Sequence, residues 1–337
     1  MRIPLAVAAA TIVGLGATGC AAGESAVTTT PSTTAAIVST TDVPVQDSLE
    51  PVTTVAPATT DRGSPSPGLG EPPARLDGTL DADEFAARLS SSHAAIVDTT
   101  ATDDERAAAG VDYQLVLRQL ANSADLDDAV LSRLEPSAAP AVERIVRARQ
   151  FLQQRSASRP PQPLPDELPA WTVDEPEPID ALLAHYAEAE QLTGIAWYWL
   201  AAIHLQETRM GRIQGVSSAG AVGPMQFLPT TWTTCCAGDP TVPRDAIIGA
   251  ATYLAQSGGP DDMNAAVYQY NPNDGYVAVV TAYAESLRDE PELYAGYHAF
   301  QVFFGSSAGT IRLPIGYSES APIDAATYLT TNPEHAA

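Results

Sequence analysis

The sequence predicts a mainly α protein with a short β-hairpin near its C-terminus. Two observations carry this. Apolar residues recur at helical spacing in two blocks, one before and one after a proline-rich stretch near residue 160. Beyond the second block, "FQVFFGSSAGTIRLPIGY" sets two short β-prone runs around a Gly/Ser turn, which reads as a hairpin.

The elements follow in chain order. Residues 1–20, "MRIPLAVAAATIVGLGATGC", have a basic start at Arg2, an apolar middle and a small-residue end. That is the pattern of an export signal, and the apolar run is short for a spanning helix. "ATGC" resembles a bacterial lipobox, which makes Cys20 the expected lipidation site and the outer face of the cell membrane, or the cell wall, the expected location. Residues 21–78 are a Thr/Pro-rich linker with almost no aromatics, too poor in apolar surface to offset the entropy of ordering it. Such a segment is a tether between the anchor and the folded part.

Residues 79–157 read as a small helical bundle. Phe85, Leu89 and Ile96 share one helical stripe. Thr102 and Glu105 fit a capping box, opening a helix that runs to about Ala121. "DLDDAVLSRL" and "PAVERIVRARQFLQQR" are two more helices. This region carries no recognisable chemistry and is a candidate docking surface for cell-wall proteins. Residues 158–178 form a second, proline-rich linker. Residues 179–295 hold most of the remaining helical pattern, including the apolar "IAWYWLAAIHLQET" and "DAIIGAATYLAQ". Residues 296–337 are a C-terminal extension containing the hairpin.

Charge narrows the function. The chain of 337 residues has a net charge of −24, and all its basic side chains are arginine. A nucleic-acid binder would show a basic patch, and none is visible, so that class is set aside. The histidines and cysteines have no metal-ligand spacing, so neither a metal nor another cofactor is expected. Cys235 and Cys236 are adjacent. Neighbouring Cα atoms stand about 3.8 Å apart, closer than disulfides prefer, so buried free thiols are the favoured reading.

The informative stretch is "IHLQETRMGRIQGVSSAGAVGPMQFLPTTW", residues 203–232. It contains one carboxylate, Glu207. Leu200 and Ile203 lie seven and four residues earlier, so Glu207 continues an apolar stripe. An acid on a buried face loses solvation and holds its proton to higher pH, as a general acid requires. The competing reading is a frayed helix end with the carboxylate in water, and periodicity alone leaves the two even. The loop that follows supplies Gly, Ser, Gln and aromatic residues, the mixture that sugar recognition needs.

"ETRMGRIQGVSSAGAVGPMQFLPTTW", followed by "DPTVPRDAIIGAATYLAQSGG" and "AAVYQYN", resembles the catalytic domain of soluble-type lytic transglycosylases. These are lysozyme-like enzymes of glycoside hydrolase family 23. The resemblance covers about residues 190–285 and also echoes the membrane-bound B-type group. It implies a lysozyme-like fold for 179–295 and Glu207 as the single catalytic acid/base. It further implies a substrate-binding set of Ser217, Ser218, Met225, Gln226, Tyr270 and Asn271. Thr208 stands where Ser is common, and Pro224 where Leu is usual. The implied substrate is the peptidoglycan glycan strand, cut between N-acetylmuramic acid and N-acetylglucosamine with formation of a 1,6-anhydro end. Asp239, Asp245 and Asp274 are weaker candidates for a second acid, with capping or turn roles as their bland explanation. The rival readings are a hydrolytic muramidase and a non-catalytic wall-binding lipoprotein.

Overall fold

The computed structural model describes residues 72–157 and 163–337. The export signal, Cys20 and most of the first linker lie outside the described residues. Four helices come first: α1 (Ala82–Val97), α2 (Asp103–Ala121), α3 (Asp127–Leu131) and α4 (Ala139–Ala157). Asp81 and Glu84 form a capping box at the start of α1, and Thr102 and Glu105 form the expected one at α2. The proline-rich segment contributes two short strands, β1 (Glu167–Leu168) and β2 (Thr172–Val173).

The second helical block comprises α5 (Ile179–Thr193), α6 (Trp197–Thr208), α7 (Pro229–Cys235), α8 (Pro243–Gln256), α9 (Met263–Tyr270), α10 (Asp274–Asp289) and α11 (Leu293–His298), with the short strand β3 (Ile213–Gln214) after α6. The hairpin is present as β4 (Val302–Ser306) and β5 (Gly309–Leu313), paired antiparallel with Val302 opposite Leu313. β6 (Ile323–Asp324) and α12 (Ala325–Thr331) end the chain. The mainly α expectation holds.

One apolar core runs through both helical blocks. Phe85, Leu89, Tyr113 and Leu120 of the first belong to the same buried cluster as Tyr186, Leu200, Ile203 and Tyr276 of the second. α10 packs between α4 and α6, and α11 rests on α2. At the α2–α11 crossing a Cβ added to Gly110 would lie 2.3 Å from the Gly296 carbonyl oxygen, so the two backbones nearly touch.

A second, smaller core of Leu168, Trp171, Val173, Ile213, Val302, Ile311 and Leu313 lies under the hairpin. β1 pairs with β6 and β2 with β3, so the proline-rich segment is stitched to both the C-terminal extension and the loop after α6. Among the described residues no helix is long and apolar enough to cross a membrane.

Cys235 and Cys236 are disulfide-bonded, which corrects the free-thiol reading. The helix stops between them: Cys235 is the last residue of α7, and Cys236 leaves it in extended conformation. That change of backbone direction lets two neighbouring side chains meet.

Candidate active site

Glu207 occupies the last turn of α6, a helix with buried residues almost all round. The helix ends abruptly. Arg209 and Met210 both take left-handed conformations, with φ of 56° and 61°, and Gly211 follows at 87°. Non-glycine residues seldom adopt this region, so the turn needs outside support. Thr208 supplies it. Its fully buried hydroxyl donates to the Pro224 carbonyl at 2.6 Å and accepts from the Gly211 amide at 3.1 Å. One side chain thus ties the end of the Glu207 helix to the Gly223–Gln226 turn.

The Glu207 carboxylate does not swing out into water as a frayed end. Tyr276, at the start of α10, donates its hydroxyl to Glu207 Oε1 at 2.6 Å. Burial pushes the carboxyl from its ordinary 4.5 up to about 7, with the Tyr276 hydrogen bond and the Arg209 charge pulling the other way. This is the electrostatic state of a group able both to release and to accept a proton near neutrality. His204, one turn earlier, is buried and hydrogen-bonded through Nδ1 to the Tyr186 hydroxyl at 2.7 Å. Desolvation takes it down to about 3, so it is neutral and structural.

The Gly223-Pro224-Met225-Gln226 segment is a tight turn closed by Val222 and Phe227, which exchange backbone hydrogen bonds of 2.9 and 3.0 Å. Gly223 has φ 76°, and a Cβ there would fall 1.8 Å from the Pro240 carbonyl oxygen, so only glycine fits. Gln226 also has positive φ, 50°, and its Nε2 donates back to the Gly223 carbonyl at 2.9 Å. Met225 is fully buried, so its side chain belongs to the core. Its carbonyl accepts the Tyr270 hydroxyl at 2.5 Å. Tyr270 packs edge-on against Phe227 and Tyr253, and the Glu207 charge adds to desolvation in disfavouring its phenolate.

The other expected residues are placed as follows. Ser217 is buried, and its Oγ accepts from the amides of Ala219 and Ala221, holding the loop's own turn. Ser218 is exposed on the same loop. Asn271 caps the C-terminus of α9, next to Tyr270. The three candidate second acids are engaged elsewhere. Asp239 accepts from Thr241, Asp245 accepts from the Asp239 amide, and Asp274 pairs with Arg155 at 2.8 Å. Among the described residues no group of three His, Cys, Asp or Glu side chains is placed to hold a metal ion.

Residue type alone marks neither Arg209 nor the bridging role of Thr208, nor Tyr276 as the partner of Glu207. The available signal is position: Thr208 and Arg209 directly follow the acid, and Tyr276 opens a helix with a strong apolar face.

The membrane-bound lytic murein transglycosylase F of Thiobacillus denitrificans is 30% identical to this chain over 128 residues. The chain is similar to a lytic transglycosylase. The resemblance drawn from the sequence is borne out by that match, which covers 36% of this chain. The chain spans 27% of the length of this lytic transglycosylase. No family model matches the chain, and no solved structure is a significant match.

Proposed function

We propose that this protein is a peptidoglycan lytic transglycosylase with Glu207 as its single acid/base. The observation that carries the reading is the Glu207 carboxyl, raised to about 7 by burial and held by Tyr276. The similarity to a lytic murein transglycosylase supports the substrate class.

Protonated Glu207 gives its proton to the glycosidic oxygen between N-acetylmuramic acid and N-acetylglucosamine. The bond from that oxygen to muramic C1 breaks, and positive charge spreads over C1 and the ring oxygen. Glu207, now a carboxylate stabilised by the Tyr276 hydroxyl, takes the proton of the muramic C6 hydroxyl as that oxygen closes onto C1. The products are a free N-acetylglucosamine 4-hydroxyl and a 1,6-anhydro-muramic end. The proton count balances, and Glu207 ends protonated. No second carboxylate is needed, because the sugar supplies the nucleophile that a two-acid glycosidase draws from water or a second acid.

Gln226, Ser217, Ser218 and Asn271 contribute to the walls of the glycan path, Met225 enters through its backbone, and Tyr270 braces the turn beside Glu207. Export through residues 1–20 and lipidation at Cys20 place this activity at the outer face of the membrane. The linker extends its reach into the wall, and residues 79–157 offer a surface to wall-protein partners.

Mass spectrometry of digested peptidoglycan tests the reading. Anhydro-muramic ends are expected from the unaltered protein and none from Glu207→Gln. Reducing muramic ends in their place would identify a hydrolase. Equal release of soluble glycan by both proteins would leave no enzymatic role for Glu207.

A further inference from the structure

Behind the last turn of α6, where the N-terminal helices meet α10, lies a cavity of about 150 Å³. Arg118 from α2, Arg149 from α4 and Arg209 after α6 line it, together with apolar groups such as Leu117, Leu152 and Phe303. The lining contains no carboxylate. In a chain with 41 acidic and 17 basic residues, three arginines around one small space with no acid among them is an uneven distribution.

The three guanidinium groups are short of partners. Arg118 lies 3.7 Å over the Phe303 ring and, among the described residues, makes no hydrogen bond or ion pair. Arg209 donates to its own helix at the Leu205 carbonyl, 2.6 Å away, and has no ion pair among the described residues. Arg149 uses Nη2 on Asp127, while its Nε and Nη1 are buried with no hydrogen-bond partner. Among the described residues Arg118 and Arg209 are half-buried without an ion pair, and Arg149 keeps two buried N–H groups unbonded beside its Asp127 pair; an anionic guest would offset the cost of leaving these groups unmatched. Guanidinium groups suit a planar carboxylate, which can accept two parallel hydrogen bonds. The apolar wall asks for a guest with an apolar body. A cavity of this volume holds about six heavy atoms, the size of benzene.

We propose that this cavity is a binding site for a small monocarboxylate with a short apolar tail. Arg118, Arg149 and Arg209 receive the carboxylate, and the Leu117–Leu152–Phe303 wall receives the tail. Its lining shares no residue with the glycan path assigned to Gln226 and Asn271, and it is built partly from the N-terminal helices.

Calorimetric titration of the full chain at pH 7 and constant ionic strength tests this, with butyrate as probe and butyramide and inorganic phosphate as controls. Butyrate should bind at least about tenfold more tightly than either control, the discrimination that a charge-assisted hydrogen bond with tail burial gives. Butyramide keeps the shape and loses the charge; phosphate keeps the charge and loses the tail. Arg118→Gln should weaken butyrate about tenfold, and Ala148→Leu, which fills the space, should abolish its binding. Butyrate binding no tighter than butyramide, or unchanged in both variants, overturns the proposal. The butyrate–butyramide comparison on the unaltered chain decides the matter even if neither variant folds. None of these readouts uses glycan cleavage, so the result stands apart from the catalytic reading.

Discussion

Replacing Glu207 by Gln should stabilise the protein, and by an amount that depends on pH. In the unfolded chain the carboxyl ionises near its ordinary 4.5; in the fold it does so near 7. Between those values the folded state keeps a proton that the unfolded state has released. Stability contributed by this group is therefore complete below 4.5, falls as pH rises, and is lost above 7. The distance from 4.5 to about 7 corresponds to about 3 kcal/mol at 1.36 kcal/mol per pH unit. Part of the side chain reaches solvent, so about 2–3 kcal/mol is the working figure. Glutamine is nearly isosteric, can still accept from Tyr276, and does not titrate. Urea unfolding followed by tryptophan fluorescence at pH 4 and pH 8 reads the effect. The advantage of Glu207→Gln over the unaltered protein should grow by about 2–3 kcal/mol from the lower pH to the higher, a midpoint shift on the order of 1 M urea. A gap that stays constant across this range, or shrinks, would refute the claim that burial raises this carboxyl.

Three further outcomes are expected. Tyr276→Phe removes a hydrogen bond that favours the ionised acid, so the limb of kcat/KM that falls with rising pH should move up by roughly one to two pH units; a merely structural role for the tyrosine would lower activity without moving the limb. Gly110→Ala drives a methyl group into the Gly296 backbone and should cost about 1–3 kcal/mol in urea unfolding, with no change in the pH profile of whatever protein remains folded. Gln114→Leu strips the buried backbone N–H and C=O of Gln301 of their side-chain partners, at 2.7 and 3.0 Å, and should cost about 2–4 kcal/mol in the same assay.

The parts of the fold that could be read from the sequence are those set by local chemistry. The Thr102–Glu105 box marks the start of α2 because capping needs only four consecutive residues, and the hairpin stands out because its Gly/Ser turn sits between two β-prone runs. β1 and β2 left no such trace. Each is two residues long and gains its hydrogen bonds from partners about 40 to 160 residues away, at β3 and β6, a separation no local period encodes.

The site divides the same way. Glu207 was visible as an acid on an apolar stripe, but only the Tyr276 contact, 69 residues on, decides between a buried and a frayed carboxylate. Cys235 and Cys236 are bonded despite their Cα spacing because the backbone turns from helical to extended between them. The cluster of Arg118, Arg149 and Arg209 draws one residue from each of three distant segments, so neither spacing nor composition announces it.

Arg209, Met210 and Gln226, the three non-glycine residues with left-handed backbones among the described residues, all lie within twenty positions of Glu207. A breeder of heat-resistant variants would be drawn to them. Each carries on the order of 1–2 kcal/mol of backbone cost that glycine would relieve. Yet the Arg209–Met210 bend sets where the Glu207 helix stops, and the Gln226 bend shapes the turn facing it. Selection for endurance alone would soften these bends first, and selection for turnover would restore them. The durability of this protein and the sharpness of its site are drawn from the same short stretch of chain.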